Sequence, residues 1–154
     1  MAEVLLRRAL ERRLGPDASY FAIQSAGTAA IDGCPASEGA RQVLEEAGLE
    51  VSEHRARALD RALLEWADLV VALSDSHRRA IQTMTEGEDP PVIKLAEEDV
   101  EDPIGKDVET YRRCLRMIEA GVEKLAQKLS SALKEARRET ARNEGTDDES
   151  ADRP

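Results

Sequence analysis

Few side chains in this sequence are arranged so that they could do chemistry. The clearest is an acid, Asp102, in the run Glu101-Asp102-Pro103-Ile104-Gly105. The proline ring disfavours helical backbone at Asp102 and holds it on an extended segment. A helical pattern begins just beyond, at about Asp107. An acid on a stiff loop after a strand is well placed to give a proton to a leaving group. On the dipeptide alone, a plain Asp-Pro turn ahead of a helix is the commoner occurrence, so the surrounding elements decide. Ser25 and Ser74 also directly follow strand-like segments. Cys34 and Cys114 lie far apart without metal-ligand spacing, and His54 and His77 suit neither a metal nor a phosphohistidine site. Structural histidines, with no metal and no cofactor, are the expectation.

The elements that would position these groups can be read from periodicity. Residues 1–14 repeat Ala2, Leu6, Leu10 and Leu14, with Leu5 and Ala9 widening the stripe, and Gly15-Pro16 stops this helix. Tyr20 to Gln24 is β-prone and ends at Ser25-Ala26-Gly27, so a strand is expected there. Ser37 can cap a helix that turns Ala40, Val43, Leu44 and Ala47 inward, with Gly48 as its left-handed stop and Leu49 folding back. Asp60 to Trp66 reads as a short helix. Leu69 to Leu73 is a continuous apolar run, the mark of a strand buried on both faces of a parallel sheet. Ser74 or Asp75 caps the next helix, whose inward face is His77, Ile81 and Met84, and Val92 to Leu95 is a last strand. Val108, Tyr111, Leu115, Ile118, Val122 and Leu125 then form the stripe of one long amphipathic helix.

This order is α-β-α-α-β-α-β-α with three strands. A doubly wound sheet places its ligand beyond the carboxyl ends of its strands, so Ser25, Ser74 and Asp102 are expected to converge at that edge. The 154 residues are 41% apolar, which suits one α/β domain. A net charge of −10 argues against non-specific binding to nucleic acid or anionic membrane. No apolar run approaches a membrane span, and no signal-peptide layout is present, so a cytoplasmic protein with free thiols is expected. Residues 143–154 hold five acids and one Arg. The expected organisation is a domain over 1–133 and a charged, largely disordered tail over 134–154.

From Met1 to about Leu129 the chain resembles the low-molecular-weight protein-tyrosine phosphatase family. The resemblance rests on Met1-Ala2-Glu3, Ser25-Ala26-Gly27-Thr28, Ile31-Asp32-Gly33, Ser52-Glu53-His54, Glu65-Trp66-Ala67-Asp68, Ser74 to Ala80, and Asp102-Pro103 with Tyr111 downstream. Each segment is short; their shared order and spacing carry the similarity. It implies a three-layer αβα fold with a parallel sheet in the order 2-1-3-4. It also implies a phosphate loop of Cys, five residues, Arg, Ser, Pro between the first strand and first helix. In such a loop the helix N-terminus lowers the thiol pKa, the amides cradle phosphate and the Arg grips two oxygens. The thiolate takes the phosphoryl group, an Asp-Pro acid protonates the leaving atom, and water hydrolyses the phosphocysteine. By resemblance Asp102 is that acid, Ser25 supports the phosphate loop, and Ile31, Pro103 and Ile104 belong to the substrate pocket. The partner so implied is a phosphorylated protein.

The chain departs from this pattern at the nucleophile. Six residues after Cys34 comes Ala40, and six after Cys114 comes Ala120, so neither cysteine opens a Cys-x5-Arg loop. Met1 falls where the family has the Met just past the loop. The central first strand and the loop are therefore absent from this sequence, and an upstream start with Met1 as an internal Met is the expectation. As written the chain is expected to be inactive, and a catalytically dead binding domain is the alternative. Tyrosine-specific members often sandwich the phenol between aromatic rings. Ile31 and Ile104 are aliphatic walls, which leaves phosphoarginine open beside phosphotyrosine. Thioredoxin-coupled arsenate reductases share the fold but use extra cysteines that this sequence lacks.

Overall fold

The computed structural model describes residues 1–85 and 90–146, with side chains described as far as residue 143. Helix α1 (Ala2–Leu14) buries Leu5, Ala9 and Leu10, the centre of the stripe expected from the sequence. Gly15, at φ 56°, ends it. Helix α2 (Glu38–Glu46) starts at Ser37, whose side chain accepts from the Ala40 amide, and ends at Gly48 with φ 71°. The Leu49 amide then returns to the Leu44 carbonyl at 2.8 Å, tucking Leu49 under the helix. Helix α3 (Arg61–Trp66) is capped by Asp60, which accepts from the Leu63 amide at 2.8 Å.

Strand β1 (Val70–Ala72) leads through the Ser74 cap into α4 (Asp75–Met84). Strand β2 (Val92–Lys94) pairs with β1 in parallel, Val70 opposite Val92 and Ala72 opposite Lys94. Helix α5 (Val108–Thr146) closes the fold. The strands separate two apolar clusters. On one side Leu64, Ala72 and Ile81 pack with Val70 and Val92. On the other, Leu73 and Leu95 pack against Leu5, Leu10, Cys114, Ile118 and Val122 from α1 and α5. Helices on both faces of a parallel sheet give the expected three-layer α/β arrangement. Contact on the α5 face is close: a Cβ added at Gly121 would lie 2.7 Å from Leu95 Cγ and 2.8 Å from its carbonyl oxygen.

Two expectations are corrected. Tyr20–Gln24 forms no strand. Residues Gly15–Tyr20 make a 3-10 turn, and Phe21 leaves it in extended conformation. Strand identity requires a neighbouring ladder, and none pairs with this stretch among the described residues. The Ile23 carbonyl instead accepts from the Arg7 guanidinium at 3.2 Å. Among the described residues the sheet consists of β1 and β2 alone, paired in parallel.

The second correction concerns the tail. Helix α5 continues from residue 133 to Thr146, so residues 134–146 are helical. Arg137 docks this extension by pairing with Asp17 and lying 4.7 Å from the centre of the Tyr20 ring. The remainder of the expected tail, residues 147–154, lies outside the described residues.

Candidate active site

The acid loop leaves β2 and is secured at successive residues. Asp99 accepts from the Asp75 amide at 3.0 Å, at the start of α4. The Val100 amide donates to the Leu73 carbonyl at 2.9 Å just past β1, and the Val100 side chain is buried in the α1–α5 core. Glu101 pairs with Arg113 on α5. Asp102 comes next, exposed and without an ion pair among the described residues. Its Oδ1 accepts the Ile104 amide at 3.0 Å, an Asx turn around Pro103. The Lys106 amide then closes on the Pro103 carbonyl at 2.9 Å, a turn that needs a positive φ at its third residue, and Gly105 supplies 77°. Asp107 starts α5 by accepting from the Thr110 amide at 2.8 Å, and that bond holds its carboxyl below the usual carboxylate range.

Ser25 lies on a separate loop and donates to the Glu3 carboxylate in the first turn of α1. Arg7 binds the same carboxylate at 2.8 Å. Burial opposes the Glu3 charge, but the Ser25 and Arg7 hydrogen bonds and the nearby His54 outweigh it, and the Glu3 pKa falls. The loop that carries Ile31 is laid along residues 55–59. Backbone bonds run from Gly27 to the Arg57 carbonyl, from Gly33 to the Ala56 carbonyl, from Ala56 to the Cys34 carbonyl and from Leu59 to the Gly27 carbonyl. Asp32 adds a side-chain bond to the Ala58 amide. Ile31 and Ile104 are 75% and 73% exposed, unusually open for isoleucine.

Of the residues singled out in the sequence, Asp102, Pro103 and Ile104 share one turn, while Ser25 and Ile31 share a separate loop fixed to α1. No hydrogen bond or ion pair joins the two groups. Ser74 is the α4 cap. His54 is half-buried beside Glu3, and His77 is half-buried on α4. Cys34 is exposed, whereas Cys114 is wholly buried beneath the acid loop and donates to the Glu101 carbonyl at 3.4 Å. Two groups escaped the sequence reading: the Glu3–Arg7 pair and the cluster of Asp75, Lys94 and Asp99. A lysine ending an apolar strand is the one signal that pointed to the latter.

An exposed acid, without an ion pair among the described residues, thus lies on an Asp-Pro loop at the carboxyl edge of a helix-covered parallel sheet. The family model described as low molecular weight phosphotyrosine protein phosphatase matches residues 1–137. A protein from Ralstonia solanacearum described as a probable low molecular weight protein-tyrosine-phosphatase, EpsP, is 35% identical over 126 residues, 80% of this chain and 81% of that protein. A protein-arginine-phosphatase from Geobacillus stearothermophilus is 31% identical over 115 residues, 71% of this chain and 77% of that one. The crystal structure of the low molecular weight protein tyrosine phosphatase from T. tengcongensis matches with a TM-score of 0.72 at 34% identity, covering 82% of this chain and 88% of that one. The YwlE arginine phosphatase from Geobacillus stearothermophilus matches at 0.71 and 27% identity, covering 87% and 86%. The chain belongs to the low-molecular-weight phosphotyrosine protein phosphatase family, and its three-layer α/β fold is the fold of that family.

Proposed function

We propose that Asp102 is the general acid of a protein phosphatase site, protonating the atom that leaves when the phosphoryl group passes to a thiolate. The P–O or P–N bond of the substrate breaks, a P–S bond forms, and the Asp102 proton goes to the departing oxygen or nitrogen. Water then splits the phosphocysteine, Asp102 takes up its proton, and inorganic phosphate leaves with the thiolate restored. The observation that carries this reading is that Asp102 is exposed, makes no ion pair among the described residues and sits in a proline-stiffened turn whose neighbours are anchored to the core. Ser25 holds the first turn of α1 through Glu3, and Ile31, Pro103 and Ile104 flank the substrate side chain.

The substrate in this reading is a phosphorylated protein carrying phosphotyrosine or phosphoarginine. Phosphoarginine is favoured by Ile31 and Ile104, which offer aliphatic walls and no ring with which to stack a phenol. Two unbridged cysteines support a reducing, cytoplasmic setting.

The 154 residues contain no Cys-x5-Arg, so this chain alone is expected to turn over p-nitrophenyl phosphate no faster than buffer. Fused behind an apolar strand and a Cys-x5-Arg-Ser-Pro segment, it is expected to become active. In that fusion Asp102→Asn should lower turnover of a poor-leaving-group substrate by roughly two to four orders of magnitude and leave phosphate affinity nearly unchanged. Full turnover in the Asn variant would assign the proton to another residue.

A further inference from the structure

Lys94 is the last residue of β2, and its side chain is only 17% exposed. Its Nζ lies 2.9 Å from Asp99 Oδ1 and 3.2 Å from Asp75 Oδ2. Asp99 Oδ1 also accepts the Asp75 amide. One ammonium thus holds two carboxylates that would otherwise repel each other, one opening α4 and the other opening the acid loop. We propose that Lys94 is a positioning residue for Asp102, fixing the acid loop on the N-terminal end of α4 through Asp99. The proposal builds on the reading of Asp102 as the general acid.

The chain path makes the coupling short. Asp102 is three residues beyond Asp99, and the residues between are held by the Val100–Leu73 hydrogen bond and the Glu101–Arg113 pair. Loss of the Asp99 anchor releases the strand side of the loop, while the α5 side stays tied. An acid must lie within hydrogen-bond reach of the leaving atom, so a displacement of about an ångström at Asp102 is enough to matter.

From α4, Arg78 lies 3.5 Å from Asp75, and Arg79 acts on Asp99. From the acid loop, Glu101 is already occupied by Arg113 and Lys106. The Lys94 hydrogen bond, with that of the Asp75 amide, pulls the Asp99 pKa down, and the Asp99 bond is the largest cause raising that of Lys94. A lowered carboxylate contributes above its ordinary range and is lost as pH falls through its lowered value; a raised lysine contributes until pH climbs through its raised value. The clamp therefore stays closed between those limits.

Amide hydrogen exchange on this chain tests the proposal. Protection at Asp75 and Val100, whose amides donate to Asp99 and to the Leu73 carbonyl, should be flat from about pH 5 to about pH 9 and should fall below that window. Lys94→Met should reduce it roughly tenfold within the window and shift the 13C carboxyl resonance of Asp102. Lys94→Arg, which keeps the cation, should restore both. Protection within twofold of the parent together with an unmoved Asp102 resonance in Lys94→Met would overturn the assignment. If Lys94→Met does not fold, Asp99→Asn serves in its place: it keeps an acceptor for the Asp75 amide and removes the charge. It should lower Val100 protection and flatten the acid limb, and the parent's profile in this variant would refute the clamp. Asp102→Asn should leave all these exchange rates as they are. A wrong reading of Asp102 as the acid would therefore show in the turnover of the fusion and not here.

Discussion

Cys114 shows that surroundings, not residue type, decide whether a side chain reacts. Its thiol is wholly buried; burial is the first cause pushing its pKa up, and the charges of Glu101 and Asp102 add to this against the opposing Arg113. A thiolate is the reacting species, so Cys114 should be inert despite lying directly beneath the acid loop. Cys34 is exposed. With a disulfide-exchange reagent such as DTNB, the native chain should release one equivalent rapidly and the second only on unfolding. Two fast equivalents would show that the acid loop opens readily over Cys114. The same contrast governs what could be read in advance. The loop position of Asp102 was legible because Pro103 restricts its backbone, a local effect of the next residue. The Ser25–Glu3 bond was not, because it spans 22 residues and depends on how α1 packs. Lys94 with Asp75 and Asp99 was hidden for the same reason, since its partners are brought together by β1, β2 and α4.

Among the elements, those that make their own hydrogen bonds were legible. The caps at Ser37 and Ser74 and the stop at Gly48 stand where the sequence put them, because capping is settled within four residues. The same local logic ran too short at the far end of α5, where solvated charge was taken for a tail. Lys, Arg and Glu are good helix formers, and Arg137 supplies a tertiary hold on Asp17. Tyr20–Gln24 failed in the opposite direction, since β-propensity cannot make a strand without a partner. Packing between elements is tightest where α5 crosses the end of β2. Gly121→Ala should favour the isolated helix by about 1 kcal/mol, yet its methyl would meet the Leu95 carbonyl, part of a backbone that cannot swing aside. Overpacking should win, with a net loss of about 1–2 kcal/mol in a urea melt. A more stable Ala variant would mean that α5 can slide on the sheet.

At the scale of the whole molecule, the α1–α5 layer is the stronger half. Arg8 reaches Glu119 at 3.1 Å and the Ala47 carbonyl at 3.0 Å, and Arg12 and Arg13 both clasp Glu123, all across a continuous apolar core. The sheet is the weaker half, because among the described residues it has two strands and therefore two edges. The Val70 amide donates to Pro91 and the Ala72 carbonyl accepts from Leu95, so residues 70 and 72 bond toward β2. Alternation along a parallel ladder then turns the N–H and C=O of Val71 toward the opposite edge, where no strand pairs among the described residues. Val71 is only half-buried, so water can satisfy these groups in part. Each group shut off from water without a partner costs about 1–3 kcal/mol, against a whole-domain margin of roughly 5–15 kcal/mol. The edge should therefore stay wet in dilute solution and recruit a strand when chains are crowded. In dilute solution the Val71 amide is expected to exchange at least tenfold faster than that of Ala72, which the register places across from β2. As concentration rises, Val71 protection should increase together with light scattering. Equal protection of Val71 and Ala72 in chains shown to be monomeric would mean that the edge is already covered from within the molecule.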